Sequence, residues 1–226
     1  MKRFSHLLFA FVLVLAAFSW SFSQTTIQKT ASPAWLRSTT KKAIKPNLDD
    51  ISDGYYYELI EHQINLATQT KYYKDIKVLF DQTGIENLGQ VQVTFDPHFQ
   101  KLQLHELKVI RNGKDINLLP QAKFKLLAAE TELSRSIYNG SQMAHYVLED
   151  LRKDDKIVFA YSIIGANPVF DRNFSTVITY RGMNSLGWSI STILYPMVAN
   201  CSLRVSMAHL RYSNSQQEIQ QIISGS

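Results

Sequence analysis

The chain has 226 residues, 45% hydrophobic and 19% charged, enough for one large domain or two small ones, and this balance excludes a disordered polymer. The net charge of +5 includes Lys2 and Arg3, which leave with the N-terminal segment described next, so the remaining chain is only mildly basic. Without a Lys/Arg stripe interleaved with aromatics, a nucleic-acid role is not expected. The one cysteine, Cys201, excludes an intrachain disulfide and a Cys-based zinc site.

Residues 1–23 read as a secretory signal peptide: Met1-Lys2-Arg3, then the apolar run LLFAFVLVLAAF, then small residues at Ser21 and Ser23. The run is shorter than the roughly 20 residues of a spanning helix, so cleavage before Gln24 and no stable membrane insertion are expected. The location implied is periplasmic or secreted. Residues 24–47 are rich in Thr, Ser, Lys and Ala, with Pro33 and Pro46 as breakers, and read as an extended leader whose Trp35 tucks into the domain. Residues 48–210 carry the strand pattern, and 211–226 form a polar tail in which Ile219, Ile222 and Ile223 allow a short frayed helix.

The acidic group Asp49, Asp50, Asp53 with Gly54 lacks the spacing of a calcium loop and reads as a solvated turn. Residues 55–66 alternate, with Tyr56, Glu58, Ile60, His62 and Ile64 on one face and Tyr57, Leu59, Glu61 and Gln63 on the other. Residues 72–80 repeat the pattern, and 81–84 (DQTG) close it as a turn. Val91, Val93 and Phe95 alternate in the next strand, which Asp96-Pro97 ends. Leu102 and Leu104 fall out of phase with Leu107 and Val109, which predicts a bulge near His105-Glu106. Asn112-Gly113 predicts a type I′ hairpin with a return arm that Pro120 stops. Residues 122–127 are a weak strand, and 128–137 fit a helical turn or an edge strand equally well. Residues 146–170 read as a hairpin turned at Asp154-Asp155 and ended by Gly165 and Pro168. Further strands are expected at 174–180, 190–198 and 201–207. The sum is an all-β chain: an antiparallel β-sandwich of about ten strands with at most short helical turns.

The search for chemistry assigns no catalytic, cofactor-binding or metal residue, and no cofactor. Cys201 lies in a strand-like context, VANCSLRV, where a small buried residue packs. His62, His98, His105, His145 and His209 form no HxH or HExxH pair. Ser141 and Ser185 are in no GxSxG elbow. Asp49-Asp50 and Asp154-Asp155 are sequence neighbours, which cannot straddle a glycosidic bond as paired carboxylates must.

The segments AETELSRSIYNG and YVLEDLRKDDKIVFAYSIIGANPVF carry an E-x-x-L run (130–133), a Y-x-G turn (138–140), an L-E-D-x-R run (148–152) and a G-x-N-P-x-F corner (165–170). Together with the N-G hairpin upstream, they resemble a domain family of unknown function found in exported proteins of Bacteroidota. That family usually lies immediately before a transglutaminase-like, papain-fold domain. The chain departs from it at Asp154-Asp155, where the family commonly has Gly-Asp, and no Cys-His-Asp set of the kind that follows in the family matches Cys201. The resemblance implies a β-sandwich that packs against a papain-fold module or presents substrate to it.

The leading expectation is a non-catalytic exported module for interaction or scaffolding, not an enzyme. The alternatives are the front part of a thiol transamidase or peptidase, and a glycan-binding module using Trp35, Trp188 and the Tyr55–Tyr57 run. An unpaired sheet edge would invite strand addition by a partner.

Overall fold

The computed structural model describes residues 27–38, 51–129, 140–170, 189–195 and 220–225. The expected signal peptide, Glu130 to Leu133, Trp188, Cys201, His209 and the strands at 174–180 and 201–207 lie outside the described residues.

The elements in order are β1 Ile27–Lys29, β2 Tyr55–Asn65, β3 Thr70–Leu79, helix α1 Gln82–Leu88, β4 Gln90–Phe95, β5 Lys101–Arg111, β6 Lys114–Asn117, β7 Lys125–Ala128, β8 Gln142–Val147, β9 Lys156–Ile164, a 3-10 turn at Pro168–Phe170, β10 Ser189–Tyr195 and β11 Gln220–Gly225. They form an eight-stranded sheet in the order β1-β5-β9-β3-β2-β10-β11, with β6 also on β5, and a three-stranded sheet β4-β8-β7. Strands β1 and β6 divide the free edge of β5 between them, one along Leu102 to Leu104 and the other along Lys108 to Arg111. Pairing is antiparallel except for β1 on β5, β10 on β2 and β11 on β10. Among the described residues no helix is long and apolar enough to cross a membrane.

The two sheets close on one core. Val91, Val93 and Phe95 of β4 and Ala144 of β8 meet Leu102, Leu104 and Leu107 of β5 and Ile157 and Phe159 of β9. Burying each large side chain contributes roughly 1.5–3 kcal/mol, so this layer is the main source of stability. Phe124, just before β7, joins the layers: its ring lies 6.3 Å from Phe159 and 5.3 Å from Tyr146.

The bulge in β5 falls where the phase shift predicts it, between Leu104 and Glu106, and brings Leu102, Leu104, Leu107 and Val109 to one buried face. Asn112 and Gly113 both take positive φ, 50° and 75°, as the N-G turn requires. Three local expectations are corrected, and one long-range expectation after them. First, β2 also carries a bulge, between Tyr57 and Leu59. Its register therefore places Tyr57, opposite Lys77, on the face of Ile60 and His62, opposite Asp75 and Tyr73, and not with Leu59. Second, DQTG is not a closing turn. The Asp81 carboxylate accepts the Gly84 N–H at 3.1 Å and caps α1, whose Ile85 and Leu88 turn to the core. Third, residues 220–225 are a strand and not a helix, in keeping with the β-branched pair Ile222-Ile223.

The expected hairpin over residues 146–164 is not one. Strand β8 pairs with β4 and β7 in the small sheet, whereas β9 lies between β3 and β5 in the large one. The reason is visible in β9: Ile157, Val158, Phe159 and Ala160 are all buried, so both of its faces are covered. Such a strand is central, and β3 and β5 use both its edges. The charged link 148–155 is thus a crossover between layers. Leu148 is buried in the core, and its N–H donates to the Gly89 carbonyl at 2.8 Å. Asp154 sits at φ 68°, where the resemblance expects glycine, and aspartate is one of the few residues that tolerate this region.

Candidate functional site

The densest polar chemistry lies on the outer face of the large sheet, beneath residues 30–37. The expected leader is in part a built element: β1 joins the sheet, Thr30 N–H donates to the Leu104 carbonyl at 3.0 Å, and the chain then runs across the sheet as a strap. Trp35 within it is half-buried.

The β5 bulge leaves His105 without a cross-strand partner and frees its ring to reach sideways. His105 Nε2 lies 2.8 Å from Ser162 Oγ, and Nδ1 lies 3.2 Å from Thr30 Oγ1 and 3.3 Å from the Thr30 carbonyl. With Nδ1–H donating to that carbonyl, Nε2 accepts the Ser162 hydroxyl proton. Burial lowers the His105 pKa, against the raising effect of the strap's backbone, so the ring is neutral at pH 7. The Tyr72 ring lies 5.8 Å from His105, and burial, with Glu61 and Glu106 nearby, raises its phenol pKa.

At the far end of the strap Gln63 is fully buried. Its amide mimics a strand partner: Nε2 donates to the Arg37 carbonyl at 2.9 Å, and Oε1 accepts the Arg37 N–H at 2.9 Å. Nε2 also donates to Glu61 Oε1 at 2.5 Å. Removing the carboxamide leaves two strap groups without their partner. Gln63→Leu is expected to speed tryptic cleavage after Arg37 at least tenfold, measured by mass spectrometry of the native protein.

A serine hydroxyl on a neutral imidazole is the first requirement of nucleophilic catalysis. Here the imidazole is oriented by the strap through Thr30, and Ser162 has no exposed surface. The pair acts as a clasp that closes the strap onto the sheet.

A second polar centre holds the crossover. Asp155, 1% exposed, accepts Arg111 Nε at 2.9 Å, Arg111 Nη2 at 2.7 Å and the Arg152 N–H at 2.9 Å. Arg111 Nη1 donates to Asp150 at 2.9 Å, and Arg111 also reaches the Asp150 carbonyl. Hydrogen bonds from Arg111 and Arg152 lower the Asp150 pKa.

On the opposite face, Tyr73 stacks on Tyr161 at 5.1 Å and meets His62 edge-on at 4.8 Å. Burial raises Asp75 and lowers His62 to about 4. The unfolded chain therefore binds the His62 proton more readily than the folded one between pH 6.5 and 4. The stability from neutral His62 is complete above about pH 6.5 and is lost as pH falls to 4, on the order of 3 kcal/mol. His62→Gln is expected to flatten the fall in Tm over that range; His105 contributes with the same sign, and Asp75, whose pKa burial raises, with the opposite one.

The other histidines are separate. His98 Nδ1 lies 2.8 Å from Asp96, and His145 Nε2 lies 2.6 Å from Gln90. Among the described residues no three His, Cys, Asp or Glu side chains gather as metal ligands. Tyr55 and Tyr57 pack edge to face at 5.7 Å, with Lys77 over the Tyr57 ring at 5.2 Å. The Asp53 carbonyl accepts Asn87 Nδ2 at 2.9 Å. The sequence singled out His105 and the Asp154-Asp155 pair, but not Ser162, Gln63 or Arg111. The phase break at residue 105 was the one signal that a side chain there would be turned to a new direction.

Among solved structures, a candidate protease from Parabacteroides distasonis is similar over 50% of this chain and 23% of its own, at 21% identity and TM-score 0.43. Native yeast LTA4 hydrolase aligns over 58% of this chain and 17% of its own, at 7% identity and TM-score 0.28. The chain thus spans less than a quarter of either protein. No curated protein matches it. A family model matches residues 67–224, from the turn before β3 into β11, and the chain belongs to that family, DUF3857, a domain of unknown function with solved structure.

Proposed function

We propose that this chain is a non-catalytic module that engages another polypeptide outside the cytoplasm, and that its partner is a papain-fold, transglutaminase-like domain. One observation carries the reading: the described side chains best suited to chemistry are engaged in holding the fold. Ser162 and His105 fasten the strap, and Arg111 and Asp155 fasten the crossover. The exposed large apolar residues include Leu126, Leu127 and Val147 of the small sheet, with Ile116 and Val169 elsewhere. Export rests on the signal-peptide character of residues 1–23, and the partner rests on the sequence resemblance.

The test uses the purified chain in amide-hydrolysis and transamidation assays, alone and with a transglutaminase-like domain. The expected result is no turnover by the chain alone and a stable complex by size-exclusion chromatography. Turnover by the chain alone would overturn the reading; its loss in Cys201→Ala or Ser162→Ala would identify a thiol or hydroxyl enzyme.

A further inference from the structure

We propose that β7 is a docking edge that takes up an extended, carboxylate-bearing segment of another polypeptide as an added strand. This rests on the interaction-module reading and names its contact. The register decides which backbone groups are available. Ala129 N–H donates to the Ser141 carbonyl at 2.9 Å, and β7 pairs Lys125 with His145 and Leu127 with Met143. In an antiparallel ladder hydrogen-bonded pairs alternate, so Lys125, Leu127 and Ala129 turn their backbone groups toward β8. The N–H and C=O groups of Leu126 and Ala128 therefore point away from the sheet. Among the described residues β7 pairs with β8 alone.

The side chains fit the same reading. All four residues of β7 are exposed. Leu126 and Leu127 stand on opposite faces, yet are 44% and 42% exposed, so the strand leaves apolar surface uncovered on both sides. The other edge of the small sheet is different. Strand β4 alternates buried apolar residues with exposed Gln90, Gln92 and Thr94. An edge with leucines on both faces has only its lysines to blunt strand addition, and a partner that carries carboxylates would neutralise them. What charge is present is of one sign: Lys123 and Lys125 are exposed, and neither β7 nor β8 contains Asp or Glu. A second copy pairing through the same strand would bring two more lysines to this edge, and like charges in cross-strand positions destabilise. The complementary occupant is a strand with apolar residues opposite the leucines and carboxylates opposite Lys123 and Lys125.

The test measures amide hydrogen exchange by NMR on the full chain with a soluble, acetylated heptapeptide whose glutamates fall opposite Lys123 and Lys125 and whose two adjacent valines fall opposite Leu126 and Leu127. At saturation the Leu126 and Ala128 amides are expected to slow at least tenfold, while Leu127, already bonded to β8, does not change. The same peptide with lysine in place of each glutamate is expected to bind at least tenfold more weakly. Leu126→Pro removes an outward N–H and no β7–β8 bond, and is expected to abolish binding. Lys125→Glu, which leaves every backbone group in place, is expected to weaken the glutamate peptide tenfold even where the proline variant folds poorly. Unchanged exchange with the peptide, slow exchange at Leu126 and Ala128 in the free chain, or a homodimer broken by Leu126→Pro would each overturn the proposal. A partner domain that still binds with those amides unchanged would overturn β7 as the contact and leave the module reading standing; turnover by the isolated chain would do the reverse.

Discussion

Replacing Asp155 with alanine is expected to lower stability by about 3 kcal/mol, because a buried carboxylate with several charge-assisted bonds is lost at once. It accepts both Arg111 Nε and Nη2 and the Arg152 N–H. Its own backbone also ties the crossover to β3: Leu79 N–H donates to the Asp155 carbonyl and Asp154 N–H to the Leu79 carbonyl, each at 2.9 Å. The side chain therefore holds the link at the point where the chain passes from the small sheet to the large one. For a domain of this size the loss corresponds to roughly 6–12 °C in Tm, read by calorimetry. Asp155→Asn keeps the volume and one acceptor, and is expected to fall between wild type and alanine. Arg111→Lys is expected to behave as a partial loss too, because an ammonium cannot offer the two parallel donors that Asp155 receives.

Gly84→Ala is expected to cost about 2–3 kcal/mol although it adds only a methyl group, because the space is already filled by backbone. A Cβ on Gly84 would overlap the Gly54 carbonyl. That carbonyl accepts the N–H groups of Phe80 at 2.8 Å and Asp81 at 3.2 Å, so it cannot withdraw without unpairing the end of β3. Gly54 cannot yield either: it sits at φ 72°, and its own Cβ position is occupied by Asp81 and Gly84. The control is Gly113→Ala, at φ 75° with open space around it, which is expected to lose only the conformational term of about 1–2 kcal/mol. Urea denaturation of the two variants separates them: equal losses would mean that the Gly54–Gly84 contact contributes nothing beyond backbone preference.

Legibility in the sequence followed the range of the interaction. The β5 bulge could be read because two leucine pairs stand out of phase within one strand, and the Asn112-Gly113 turn because two residues suffice to specify it. The β2 bulge could not, since its signal is split between tyrosines, which tolerate either face of a half-buried strand. The helix at Gln82–Leu88 was hidden by Gly84, which reads as a breaker and serves as a contact surface. The strap clasp was half legible. His105 stood out at the phase break, but Thr30 and Ser162 are 75 and 57 residues away from it, and no local pattern joins them.

Periodicity, turn residues and composition by themselves determined that this chain is all-β, where most strands lie, and where one of them is kinked, because each depends on neighbours a few residues apart. Only the tertiary structure decided that the strands on either side of Asp154-Asp155 go to different sheets. Alternation states which side of a strand is apolar and carries no information about which strand lies beside it. Partner choice is set by which edges remain free after the core has closed, and for β9 both were taken by β3 and β5.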